Sequence, residues 1–297
     1  MKLTGVVVPV AVPLDERRRP DYHAYRGLIR FLLQSGVHGL FVNGSMGAFA
    51  LLTDEEQRRL LEVAVEEAGG KVPIVAGIAD TGPARVMERM FRIDPGPITA
   101  LVLLPPFYYV AGQSELIRFF HAIADRAPRP LFLYENPRLA KNSLDLETIL
   151  QLARHGNIRG IKISTNNREA WSELVRCLGQ EDFSLICGAG RDCAEALRMG
   201  FDGITEGLHN IVPSVAVSLY NASRAGDHAC ARHLQDKINR CFEIFDIAGG
   251  WRGLEVAFSY MNIASFAAPP PYDEPIGESQ RRRILDILAA ENIPRAG

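Results

Sequence analysis

Cysteine is scarce: five in 297 residues, at positions 177, 187, 193, 230 and 241. The count is odd and no C-x-x-C pair occurs, which argues against a disulfide framework or a thiol redox motif and favours reduced thiols of the cytoplasm. Charge of one sign is also missing. The formal net charge is -2, so there is no electrostatic footprint for nucleic acid or an anionic membrane. Glu16-Arg17-Arg18-Arg19 is too short to alter that and reads as solvated loop. Long apolar runs are absent. The apolar stretch at the N-terminus is broken by Pro9 and Pro13, which makes a poor signal peptide and cannot span a bilayer. No His, Asp, Glu and Cys cluster has the spacing of metal ligands. No cofactor motif is present either, so neither a metal nor a cofactor is expected. Low-complexity segments and long linkers are lacking.

What remains is an alternation. Short, β-branched apolar runs fall at 6–12, 40–42, 74–77, 100–104, 131–134, 160–163, 184–187 and 203–205. They are continuous rather than alternating, as expected for strands covered on both faces. Amphipathic stretches at 22–34, 54–68, 84–93, 114–126, 146–153, 168–178 and 192–199 separate them. Thr53, followed by Glu56, predicts a capping box at the start of the second stretch. Eight strands interleaved with helices predict an α/β fold, a (β/α)8 TIM barrel, over residues 1–224. Residues 225–297 read as a C-terminal helical appendage packed on the barrel, with helices at 227–248 and 279–290 and an interruption at Pro269-Pro270-Pro271.

In such barrels, chemistry gathers at the C-terminal strand ends. Those ends carry Asn43-Gly44-Ser45-Met46-Gly47, Pro105-Pro106-Phe107-Tyr108-Tyr109, Tyr134-Glu135-Asn136-Pro137-Arg138, Lys162, Gly188-Ala189-Gly190-Arg191 and Thr205-Glu206. Lys162 is out of place in an apolar strand, because lysine is depleted in strands and rarely buried unpaired. Burial favours a neutral amine, and a neutral amine can attack a carbonyl. The alternative is a lysine paired with a barrel carboxylate or reaching out at the strand end. Tyr134 ends the neighbouring strand, where a phenol can shuttle protons, with Ser45 and Tyr108 as relay hydroxyls. Otherwise it is a rim tyrosine with a satisfied hydroxyl. Gly44-Ser45-Met46-Gly47 can form a backbone nest for a carboxylate, or be an ordinary turn. His209 can reach the barrel mouth as an acid or base, though an isolated histidine is more often structural. Cys187 reads as a small buried barrel residue.

Taken in order, the loop at 44–47, P-P-F-Y at 105–108, Y-x-x-P at 134–137, G-I-K at 160–162, Gly188, and G-I followed by Asn210 and Pro213 resemble the dihydrodipicolinate synthase / N-acetylneuraminate lyase family. Its members are class I aldolases of pyruvate-type 2-oxo acids. The resemblance implies a Schiff base on Lys162, proton transfer by Tyr134 and Ser45, and a Tyr108 lent by a neighbouring subunit. The chain would then be a homo-oligomer, a dimer or tetramer. It also implies that Ser45 and Met46 hold the substrate carboxylate and that Gly188 and Thr205 line the site. The ligands implied are a 2-oxo acid and an aldehyde.

Departures narrow the substrate. The family's G-[ST]-T-G-E loop here ends Met46-Gly47-Ala48, so a hydroxyl and an acid are missing. The arginine of Y-x-x-P-x-R stands one residue early, at Arg138, with Leu139 in its place. In extended chain that shift reverses side-chain direction and counts against dihydrodipicolinate synthesis. Gly190 and Arg191 occupy positions where sialic-acid lyases carry acids for sugar hydroxyls. Arg191 can instead grip a second carboxylate. The expected activity is therefore lyase or aldolase chemistry on a 2-oxo acid. A sugar-acid dehydratase or hydratase-aldolase using the same imine is the near alternative. A non-catalytic 2-oxo-acid binding protein on the same barrel is the alternative of another class.

Overall fold

The structure, a computed structural model, describes residues 2–93 and 96–295. The ends of the two predicted units, residues 1, 296 and 297, lie outside them. Eight parallel strands close a barrel in sequence order: β1 (Gly5–Pro9), β2 (Gly39–Val42), β3 (Ile74–Gly77), β4 (Ala100–Leu103), β5 (Leu131–Glu135), β6 (Ile158–Ile163), β7 (Ser184–Cys187) and β8 (Gly203–Ile204). Helices α1 (Tyr22–Gln34), α2 (Asp54–Ala68), α3 (Pro83–Arg92), α4 (Gln113–Ala124), α5 (Pro137–Ala140), α6 (Leu146–Leu152), α7 (Arg168–Leu178) and α8 (Cys193–Met199) lie between the strands. After β8 come α9 (Pro213–Arg224), α10 (His228–Ala248), α11 (Gly250–Met261) and α12 (Glu278–Ala290). The predicted capping box opens α2: Thr53 accepts from the Glu56 backbone, and Glu56 reaches back to the Thr53 N–H. None of the helices among the described residues is long and apolar enough to cross a membrane.

Two apolar layers explain the continuous strand runs. Val7, Phe41, Val75, Ala100, Val102, Phe132, Tyr134 and Ile186 form one buried cluster. Their sequence neighbours Val6, Val8, Leu40, Val42, Ile74, Ala76, Leu101, Leu103, Leu131, Leu133 and Leu185, with Ile161 and Ile163 on either side of Lys162, belong to another, shared with the helices. Strand side chains alternate direction, so the first set fills the barrel and the second meets the helical shell. That parity turns Tyr134 inward, and pairing of Tyr134 with Lys162 across β5 and β6 gives the lysine the same sense.

Three features depart from the sequence reading. The first strand stops at Pro9 rather than Val12, although Val10–Val12 stay buried. There the Ala11 N–H donates to Asn210 Oδ1 instead of a strand partner. Helix α9 was not anticipated, and α11 lies in the segment read as helical without bounds of its own. Pro213 sits in the first turn of α9, where its missing N–H costs nothing. Glycines at 249, 250 and 253 disguise the start of α11. The helix at 192–199 is preceded by a 3₁₀ turn, Gly190–Asp192, which carries the chain out of β7.

Candidate active site

A cleft of about 780 Å³ opens at the C-terminal ends of the strands, and Lys162, Tyr134, Ser45, Met46, Gly188, Arg138 and Arg191 all line it. Lys162 is 8% exposed. Its ammonium lies 4.0 Å from the centroid of the Tyr134 ring and 5.2 Å from that of Phe41. Gly188 leaves the lysine its room: a Cβ there would stand 2.8 Å from Lys162 Cε and 2.6 Å from Ser164 Oγ.

The Tyr134 hydroxyl accepts a hydrogen bond from Asn136 Nδ2 at 3.1 Å. Burial pushes this phenol up. The Lys162 charge, the Asn136 donor and the polar groups of Lys162 and Ser45 more than offset burial and hold the phenol below its ordinary value. A phenol lowered in this way gives and takes a proton more readily near neutrality. Ser45 Oγ is buried with no protein hydrogen-bond partner, as is Thr205 Oγ1. Of the two, the Ser45 hydroxyl lines the cleft, where a polar ligand can satisfy it.

The loop at Met46 is tied down from the C-terminal helices. Trp251 of α11 donates its indole N–H to Met46 O at 2.9 Å, and its ring packs against Tyr272. Trp251 was not among the candidates from sequence, and Glu206 was named at the end of β8 without a role; both line the cleft. Trp251 comes from α11, which the sequence placed only within a helical appendage and not against the strand ends. Glu206 sits beside Thr205 at a strand end, where the rule that picked Lys162 places it.

The remaining candidates divide. Tyr108 is 70% exposed and does not line the cleft; its backbone holds φ at 89°. Thr205 is buried and does not line the cleft. Arg191 stacks on Phe242, 4.8 Å from the ring centroid, and pairs with Asp246 at 2.5 Å, so its guanidinium is already engaged. His209 is fully buried with both ring nitrogens unpartnered. Burial, and to a lesser degree the Lys162 charge, take its pKa down to about 3.

Arg138 and Leu139 do not point in opposite directions, as extended chain would have required. Residues Pro137–Ala140 form a helical turn, in which neighbours are separated by about 100°. Arg138 and Leu139 accordingly both line the cleft.

A profile of the Dihydrodipicolinate synthetase family matches residues 2–291. The chain belongs to this family. It is accordingly a lyase of the pyruvate-type class I group. It is 33% identical over 229 residues to a 4-hydroxy-tetrahydrodipicolinate synthase of Stenotrophomonas maltophilia, covering 77% of this chain and 76% of that protein. A synthase of the same description from Methanospirillum hungatei is 27% identical over 96% of this chain and 98% of its own. Among solved structures, a dihydrodipicolinate synthase from Agrobacterium tumefaciens superposes with a TM-score of 0.89 at 26% identity, covering 97% of this chain and 98% of that one. A family member from an E. coli K12 prophage, in complex with pyruvate, gives 0.91 at 24% identity and coverage of 98% and 99%.

Proposed function

We propose that the protein makes or breaks a C–C bond of a pyruvate-type 2-oxo acid through a Schiff base on Lys162. The observation that carries this reading is a buried lysine amine set against an inward-facing phenol whose proton affinity is depressed. The amine adds to the 2-oxo carbon, and loss of water from the carbinolamine leaves an iminium. The iminium draws electrons from the neighbouring carbon, which gives up a proton and becomes a nucleophilic enamine, or accepts the electrons of a breaking bond. Tyr134 carries the protons. Asn136 donates to its oxygen, which leaves the phenol's own hydrogen free to reach the reacting atoms. Ser45 supplies the next hydroxyl, and the backbone at Ser45 and Met46 receives the carboxylate.

Arg138 is the cationic group left for a second carboxylate, since Arg191 is held by Asp246 and Phe242. Tyr108, exposed on this chain, completes the relay of a neighbouring subunit in a homo-oligomer. A screen of 4-hydroxy-2-oxo acids for pyruvate release tests the reaction. Release by the wild type, and its loss in Lys162→Ala, is the expected result. Release that persists in Lys162→Ala contradicts the proposal.

A further inference from the structure

Glu206 is a carboxyl without an ascribed task at the edge of the cleft. It follows Thr205, immediately beyond β8, and one carboxylate oxygen accepts the Gly207 N–H at 2.7 Å. The other acids lining the cleft are occupied: Asp192 pairs with Arg168 at 2.8 Å and Asp246 with Arg191. Among the described residues no ion pair engages Glu206, so its carboxyl keeps acceptor capacity toward the cleft.

Its placement is built in. A Cβ at Gly190 would stand 2.4 Å from Glu206 Cγ and 2.3 Å from Phe242 Cζ. The absence of a side chain at 190 is therefore what admits the Glu206 chain. The sequence shows no acid at 190 or 191, which counted against a polyol of the sialic-acid type. In space, a carboxyl arrives at that place from the next strand. Burial raises Glu206 above the usual carboxylate range, against the opposing pull of Lys162, the Gly207 N–H, Arg138 and the Gly190 N–H. The nearby lining is also rich in hydroxyl and amide groups, with Ser164, Thr165 and Asn166.

We infer that Glu206 is a specificity residue that accepts a hydrogen bond from a hydroxyl on the chain of a 2-oxo acid held at Lys162, selecting hydroxylated 2-oxo acids over unsubstituted ones. The inference rests on the Schiff-base reading given above. The preference comes from matching a partly buried acceptor with a donor. An aliphatic chain would strip water from the carboxyl and return nothing.

The test is borohydride trapping on the whole protein, measuring the concentration of 2-oxo acid that gives half-maximal adduct. The pair compared is 4,5,6-trihydroxy-2-oxohexanoate and 2-oxohexanoate, with pyruvate as the control. The wild type is expected to prefer the hydroxylated acid by about tenfold, the size of one hydrogen bond to a carboxylate. Glu206→Ala is expected to abolish that preference, and Glu206→Gln, which keeps one accepting oxygen, to retain part of it. No preference in the wild type, or a full preference in Glu206→Ala, overturns the inference. Should Glu206→Ala fail to fold, Glu206→Gln decides: a reduced preference supports the inference and an unchanged one overturns it. Failure of every 2-oxo acid, pyruvate included, to form an adduct refutes the Schiff base itself, an outcome distinct from loss of preference.

Discussion

Tyr134 and Lys162 are direct partners across the β5–β6 pairing, with the ammonium 4.0 Å from the centre of the phenol ring. Removing the hydroxyl while keeping the ring isolates proton transfer from packing. Tyr134→Phe is expected to lower kcat by about 10²- to 10⁴-fold, the usual contribution of a positioned acid or base. Imine formation, followed by single-turnover trapping, should slow while the fold by circular dichroism is retained. An unchanged rate would remove Tyr134 from the mechanism.

Trp251 links the C-terminal helices to the substrate loop through Met46 O. Trp251→Phe keeps an aromatic ring but removes that donor. One hydrogen bond of about 1 kcal/mol corresponds to a rise of roughly fivefold in KM for the 2-oxo acid, with a smaller change in kcat. Steady-state kinetics of the two proteins check it. A change confined to kcat would mean that the loop is held by other contacts.

Tyr108 sits exposed with a positive φ, a conformation that costs about 1–3 kcal/mol in a non-glycine residue and that function can justify. If a neighbouring subunit uses it, inactive Tyr108→Phe and Lys162→Ala proteins should complement. Mixing and reassembling them creates sites with a good lysine on one subunit and a good tyrosine from another. Recovered activity in the mixture is the expected outcome. Two proteins that stay inactive together contradict the shared site.

His209 makes stability depend on pH. Its folded pKa of about 3 lies below the ordinary value of 6.5, so the unfolded chain binds the proton more tightly. Stability contributed by the neutral imidazole is complete above pH 6.5 and is lost as pH falls toward 3. By pH 5 the loss is about 2 kcal/mol. His38 is also lowered by burial, so the wild type should be compared with His209→Leu rather than read alone. Urea unfolding at pH 7 and pH 5 should show a shallower acid loss in the variant. Parallel losses would show that folding leaves the proton affinity of His209 unchanged.

The barrel was legible in the sequence because each strand obeys two demands at once. Continuous apolar runs feed both the interior and the helical shell, and the strand-end rule then selects Lys162, Tyr134 and Ser45. Residues hidden by backbone context escaped. Trp251 lies on a helix whose glycine-rich start resembles a loop. Arg138 and Leu139 share the cleft because a local helical turn stands where extended chain was expected. The carboxyl at Gly190 escaped because Glu206 reaches it from another strand, a proximity that only the closed barrel creates.

The most direct test of the central claim is borohydride reduction in the presence of pyruvate, followed by peptide mass mapping of the wild type and of Lys162→Arg. The account predicts a single reduced adduct on the peptide containing Lys162, abolished in the variant. A protein that is stabilised by pyruvate yet carries no adduct at Lys162, or is labelled equally in Lys162→Arg, would contradict it.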